Sequence, residues 1–154
     1  MHLRLGDLLV RQGVLTEEQR DAVLAEQRLV GRPFGALAER MFGVNPADVE
    51  RAWAAQYAQM AEHVDPRSSE IDPYALRLVE RRQAWQFRVL PLRFSGEDLV
   101  ICTTETHLPR AMRFTGWRIG HPVRFVLAPP LQLGEALVAH YPIAGMPPDM
   151  VGAA

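Results

Sequence analysis

Near residue 87 the spacing of apolar side chains along this 154-residue chain changes from the three-to-four repeat of helices towards the two-residue alternation of strands. A chain with that switch folds as neither an all-helical bundle nor a pure sandwich. Before it, Leu5, Leu8, Leu9 and Gln12 trace a short helix that Gly13 stops. Thr16, with Gln19 three residues on, then caps a helix through Val23, Leu24 and Gln27. Phe34, Leu37, Ala38 and Met41 make another short helix ending near Gly43, and Asn45-Pro46 opens a fourth through Val49, Trp53 and Gln56.

Asp72-Pro73 caps the next predicted helix, which carries Ala75, Leu76, Leu78 and Val79 and fades near Trp85. Phe87, Val89, Leu90 and Leu92 read as a strand, Ser95 to Asp98 as a turn, and Leu99 to Cys102 as the hairpin partner. Pro91 places the first strand at a sheet edge or near its end. A helix around Ala111 to Phe114 closed by Gly116, a third strand from Val123 to Leu127 and a helix from Pro130 to Tyr141 complete the pattern. The expected fold is α+β: a helical subdomain of two helix pairs over residues 1–62, then a small α/β subdomain with a three-stranded sheet over 71–142. Residues 143–154, with Pro147-Pro148 and little to bury, are expected to be a mobile tail.

The two helix pairs repeat. A shift of 29 residues aligns Gly6 with Gly35, Leu8 with Leu37, Arg11 with Arg40, Ala25 with Ala54 and Gln27 with Gln56. The caps Thr16 and Asn45 coincide as well, so punctuation repeats along with residues.

All 17 basic side chains are arginine. Without lysine there is no P-loop cation for phosphates, no Schiff-base amine and no strand lysine of a protein kinase. The single cysteine, Cys102, forms no internal disulfide or CxxC pair, and Ser68, Ser69 and Ser95 lie in no G-x-S-x-G elbow. His2, His63, His107, His121 and His140 have no metal-ligand spacing, so neither a metal nor a cofactor is expected. Glu17-Glu18 and Glu97-Asp98 fall at a helix start and a turn, solvated places that do not tune catalytic carboxylates. No enzyme activity is expected.

Charge is uneven. Residues 1–76 hold 8 arginines against 12 acids, and residues 77–128 hold 9 against 4. The basic residues of the middle segment are scattered, as on a solvated face, so DNA or RNA binding is not expected. No stretch reaches about 18 uncharged apolar residues, and the N-terminus has no signal-peptide plan. A cytoplasmic chain, not embedded in a membrane, is expected.

Arg4-Leu5-Gly6, Leu9-Val10, Gly13-Val14-Leu15, Leu24 and Gln27 resemble the repeated motif of the MshEN domain, found at the N-terminus of ATPases that drive type II secretion and type IV pili. Gly35, Val49, Trp53 and Gln56 hold the second copy's places. Val89 to Leu92, Leu99 to Ile101, Arg113 to Gly116 and Val126 to Ala128 resemble the family's small α/β subdomain. The resemblance implies cyclic di-GMP as ligand, with Arg4, Leu5, Gly6, Leu9, Gly13, Gln27, Gly35 and Gln56 at the site. Glu105, where the family often has an aspartate, is implied as an acceptor for guanine N–H groups.

Arginine suits a guanine face or its O6/N7 edge, glutamine both donates and accepts at a base edge, and glycine lets the backbone approach phosphate. The sequence also departs from the pattern. Arg20 replaces a motif leucine, Pro33 the second copy's arginine, Ala38-Glu39 the aliphatic pair and Phe42 its second glycine. The implied protein is a stand-alone, non-enzymatic regulatory domain with a degenerate second motif. The alternative is a protein-docking module for a secretion, pilus or other membrane assembly.

Overall fold

A computed structural model of the chain describes residues 3–152; His2, and Ala153 and Ala154 at the end of the expected tail, lie outside it. The chain divides into two compact units, residues 1–60 and 61–154.

The first unit contains α1 (Leu5–Arg11), α2 (Glu17–Val30), α3 (Phe34–Phe42) and α4 (Pro46–Met60). Helices α1 and α3 start 29 residues apart, and so do α2 and α4, so the repeat seen in the residues is also a repeat of elements. Local hydrogen bonds set the starts. The Thr16 hydroxyl accepts from the Gln19 N–H at 3.1 Å while the Thr16 N–H donates to the Gln19 side chain at 2.9 Å. Asn45 accepts from the Ala47 N–H at 2.9 Å, beside Pro46 at the first helical position.

The four helices are too short to be stable alone and are held by a shared core of Leu8, Leu9, Leu15, Val23, Phe34, Leu37, Ala38, Val44 and Ala52. Complete burial of a side chain such as Leu9 or Leu37 contributes roughly 1.5–3 kcal/mol. The Gln59 amide ties Leu3, just before α1, to α4, accepting from the Leu3 N–H at 2.7 Å and donating to its carbonyl at 3.1 Å.

The second unit contains α5 (Pro73–Leu76), α6 (Arg81–Phe87), β1 (Leu90–Ser95), β2 (Asp98–Thr103), α7 (Leu108–Arg118), β3 (Val123–Leu127) and α8 (Pro130–His140). The sheet order is β1-β2-β3. Strands β1 and β2 form the expected antiparallel hairpin, with Leu90 opposite Cys102 and Gly96 at φ 61° in the turn. Strand β3 runs parallel to β2, with Leu99 beside Val123, after a crossover through α7. Pro91 lies on the edge strand, where the register shifts between Pro91 and Arg93. On the outer side of β3, His63 pairs with Leu127, and the Val64 and Leu127 N–H groups donate to Leu127 and Glu62 carbonyls at 2.9 Å each.

Three expectations change. The helix predicted from Asp72 to Trp85 is two helices: Glu80 begins α6 anew, its N–H donating to the Gln83 side chain at 3.1 Å. Phe87 belongs to α6, not to the strand, because Arg88 turns the chain with φ 54° before Leu90. Gly116 does not close α7, which runs on to Arg118; an interior glycine costs a helix about 1 kcal/mol and need not end it.

The last segment also has more to bury than expected. Pro148–Gly152 forms a 3-10 helix with Val151 completely buried. The Arg88 guanidinium is spent on holding it, donating to the carbonyls of Val151 at 3.2 Å and Met150 at 3.0 Å, and to that of Trp85. Gly134 permits the contact, since a Cβ there would lie 1.9 Å from the Pro148 carbonyl oxygen. Nearby, the indole N–H of buried Trp85 donates to the Tyr141 carbonyl at 2.7 Å and the Tyr141 hydroxyl to the Leu76 carbonyl at 2.6 Å.

Candidate ligand-binding site

A cavity of about 310 Å³ opens in the first unit, lined by Arg4, Leu5, Gly6, Asp7, Arg20, Leu24, Gln27, Phe34 and Gln56. All four helices contribute. Arg4 stands at the start of α1 in an extended conformation, φ −81° and ψ 166°, and its side chain is exposed. Arg20, Leu24 and Gln27 fall at i, i+4 and i+7 on α2, hence on one helix face. Phe34 is the first residue of α3, and Gln56 lies on the last turns of α4.

Glycine keeps the cavity open. A Cβ on Gly6 would lie 2.8 Å from the Phe34 ring edge and 3.1 Å from Arg20 Cγ. Gly35, at the equivalent place in the second copy, sits against Val49, whose Cγ1 would be 2.6 Å from an added Cβ, with Leu5 Cδ2 at 3.8 Å. Leu5 and Phe34 are repeat equivalents, as are Arg20 and Val49. Each glycine thus packs on its own copy's second helix and on the other copy's first residue, a reciprocal arrangement of the kind a two-fold axis produces.

The polar groups are tethered. The Asp7 carboxylate accepts from the Arg4 N–H at 3.3 Å and from Arg20 Nη1 at 3.2 Å, and Arg20 Nε donates to Asp21 at 3.1 Å. The Asp21 and Asp7 carboxylates hold the Arg20 guanidinium above its ordinary range. Gln27 donates to the Arg32 carbonyl at 3.1 Å, which orients its amide. Two arginines against Asp7 leave the lining with one net positive charge.

Of the residues singled out in the sequence, Arg4, Leu5, Gly6, Gln27 and Gln56 line this cavity. Leu9 is completely buried in the core instead. Gly13 has φ 77° in the turn after α1, a left-handed position, and no atom within 4 Å of an added Cβ. Gly35 serves the close packing on Val49. Glu105 belongs to the second unit, exposed beside a cavity of about 230 Å³ formed with His63, Thr104, Thr106, Leu127, Ala128, Pro129 and Pro130.

Asp7, Arg20, Leu24 and Phe34 line the first-unit cavity without having been proposed for it. The i, i+4, i+7 spacing back from Gln27 is the sequence signal that finds Arg20 and Leu24. The other two need the tertiary contact between α1 and α3.

Among the described residues no His, Cys, Asp and Glu cluster has the geometry of a metal site. Burial pushes the Cys102 thiol up to about 12, which keeps it from acting as a thiolate near neutral pH. No helix among the described residues is long and apolar enough to cross a membrane.

The chain is similar to two type IV pilus assembly ATPases named PilB, at 27% identity to that of Thermus thermophilus and 23% to that of Myxococcus xanthus, over 91% and 90% of its length. It spans 15% and 24% of the lengths of those relatives. A solved structure of MshE with cdg matches with TM-score 0.50 at 26% identity, covering 90% of this chain and 99% of that one. The N-terminal domain of XpsE matches with TM-score 0.49 at 17% identity, over 92% of this chain and 99% of that one. The family model of the MshEN domain matches residues 41–146, from the end of α3 to beyond α8. The chain belongs to the MshEN domain family.

Proposed function

We propose that this chain is a non-catalytic, cytoplasmic regulatory domain that binds cyclic di-GMP in the first-unit cavity and conveys its occupancy to a pilus or secretion assembly. The observation that carries this reading is that Arg4, Gly6, Gln27 and Gln56 line one cavity, with the two glutamines at equivalent places in the repeat. Related MshE, solved with cdg, supports the choice of ligand.

In this reading Arg4 meets a guanine edge or a phosphate, the Gln27 and Gln56 amides donate and accept at base edges, and Gly6 gives the ligand access to backbone. Leu5, Leu24 and Phe34 form the apolar walls. A volume of about 310 Å³ lies at the low end for small-molecule sites, so it takes one nucleotide half and leaves the other on the more apolar second copy. Leu9, Gly13 and Gly35 act by positioning the walls.

Titration calorimetry with cyclic di-GMP tests the reading: saturable heat that disappears in Arg4→Ala supports it. No heat at about 100 μM ligand, equivalent to ~5.5 kcal/mol, removes the sensor and leaves the docking module. Exposed Trp53 and Met60, one face of α4 with Tyr57 between them, favour that second reading. Trp53→Ala would then weaken assembly with the pilus or secretion partner while calorimetry stays silent.

A further inference from the structure

Equivalent glycines of the two copies meet different side chains. Gly35 packs on the branched hydrocarbon of Val49, whereas Gly6 packs on the stem of Arg20, whose Cγ lies 3.1 Å from where a Cβ on Gly6 would stand. The methylenes of Arg20 do the packing that a valine does in the other copy. Its guanidinium extends past that contact to the cavity lining. Packing therefore accounts for the stem and not for the charge.

Two carboxylates fix where that charge stands. Nη1 donates to Asp7 Oδ1 at 3.2 Å and Nε to Asp21 Oδ1 at 3.1 Å, while Asp7 Oδ2 accepts from the Arg4 N–H at 3.3 Å. The guanidinium is thus tied to the start of α1, with 25% of its side-chain surface left open. Among the described residues Nη2 has no partner. It is a donor oriented before any ligand arrives, so binding to it costs little side-chain ordering. Gln27 lies on the same face of α2, at i+7 from Arg20 and roughly 10 Å along the helix. A guanosine nucleotide covers that span from the edge of its base to its phosphate.

We propose that Arg20 is the phosphate-binding residue of the first-unit site, donating through Nη2 to a phosphate oxygen of the bound dinucleotide while Asp7 and Asp21 hold its guanidinium in place. This assignment rests on the cyclic di-GMP reading above. An arginine fork held at two nitrogens and open at the third suits a phosphate oxygen. The charge balance gives the same answer. Arg4 and Asp7 cancel, so Arg20 supplies the net positive charge of the lining, which draws a ligand with two phosphates. It also adds a cation to a site whose second copy has Pro33 at the place equivalent to Arg4.

Calorimetry of the full chain with cyclic di-GMP at two salt concentrations tests the assignment. Arg20→Met keeps an unbranched stem against Gly6 and removes the charge. It is expected to weaken binding by about tenfold or more, as loss of a charge-assisted hydrogen bond does, and to flatten the salt dependence between about 0.05 and 0.3 M. Arg20→Lys restores the salt dependence and part of the affinity. Gln27→Ala, a neutral loss in the same cavity, weakens binding and keeps the salt dependence of the unmodified chain. An analogue with uncharged methylphosphonate links binds the unmodified chain and Arg20→Met within about twofold of each other.

Circular dichroism checks the fold of each variant, and Arg20→Gln, also neutral, replaces Arg20→Met if that one unfolds. Unchanged affinity in the neutral variant, beside an unmodified chain that binds, overturns the assignment alone and leaves the cyclic di-GMP reading standing. Tighter binding by the neutral variant also overturns it, making the guanidinium an obstruction. Equal losses for the charged and uncharged ligands overturn it in favour of a contact to the base. Silence of the unmodified chain and of every variant removes the cyclic di-GMP reading and this assignment together.

Discussion

The two copies of the helix-pair repeat share a backbone plan and differ in chemistry. Their helices begin at equivalent residues, and Arg4 and Pro33 both precede them in extended conformation, φ −81° and −57°. Yet the cavity takes seven residues from the first copy and only Phe34 and Gln56 from the second. Where the first copy has Arg4, Asp7, Arg20 and Leu24, the second has Pro33, Ala36, Val49 and Trp53. Packing keeps the glycines and the core because both copies bury the same faces. Core packing requires neither exposed Arg4 nor half-buried Arg20, so the polar set is one-sided while the helix plan is symmetric.

That asymmetry can be broken or sharpened by substitution. The largest expected effect is on binding: Arg4→Ala lowers cyclic di-GMP affinity by about 10- to 100-fold, the worth of a charge-assisted hydrogen bond. Pro33→Ala, its counterpart, leaves affinity within about twofold, and equal losses in calorimetry would show that the copies still act as a pair.

Next in size is the glycine pair. Gly35→Ala meets branched Val49 at 2.6 Å and costs about 1–2 kcal/mol in urea denaturation, overpacking less the gain in helix propensity. Gly6→Ala meets a ring edge that can swing, so it costs less stability while narrowing the cavity and weakening the ligand. A larger stability loss at Gly6 than at Gly35 would overturn this ranking.

A gain-of-function change is smaller. Pro33→Arg restores a cation at a start whose backbone already matches that of Arg4, and raises affinity by about two- to fivefold. No gain means that the second copy's walls, and not its missing charge, limit it. The smallest expected contrast is between Gln27→Ala and Gln56→Ala, each weakening binding by about threefold, near 0.7 kcal/mol for a net neutral hydrogen bond. A loss confined to Gln27 would reduce the site to the first copy alone.

How much of this was legible depends on the range of the interactions. Thr16, Asn45 and Asp72 marked helix starts correctly because a cap bonds to backbone two or three residues away, as Asp72 does to the Tyr74 N–H at 2.9 Å. The hairpin was readable from Ser95 to Asp98 for the same reason. The parallel pairing of β2 and β3 was not, since its partners lie more than twenty residues apart across α7. Likewise, Arg88 looked like one more surface cation. Its three carbonyl partners, two of them at Met150 and Val151, turn it into the anchor of the final segment.

The candidate site divides in the same way. Arg4, Gly6, Gln27 and Gln56 were accessible from the repeat and the family resemblance. Asp7 and Phe34 were not, because nothing local distinguishes a carboxylate that holds Arg20 or a ring that walls a cavity.

The sequence by itself determined the helix boundaries with strong caps, the 29-residue repeat, the change of period near residue 87 and the all-arginine basic set. These are written in hydrogen bonds and apolar spacing within a few residues. Only the tertiary structure decided that Gly6 and Gly35 pack reciprocally, that five of the expected residues share one cavity, that Val151 is buried and that Trp117 is left in solvent. Each of those depends on which helix face meets which neighbour, a choice made by burial between residues far apart in the sequence, where short-range patterning has no influence.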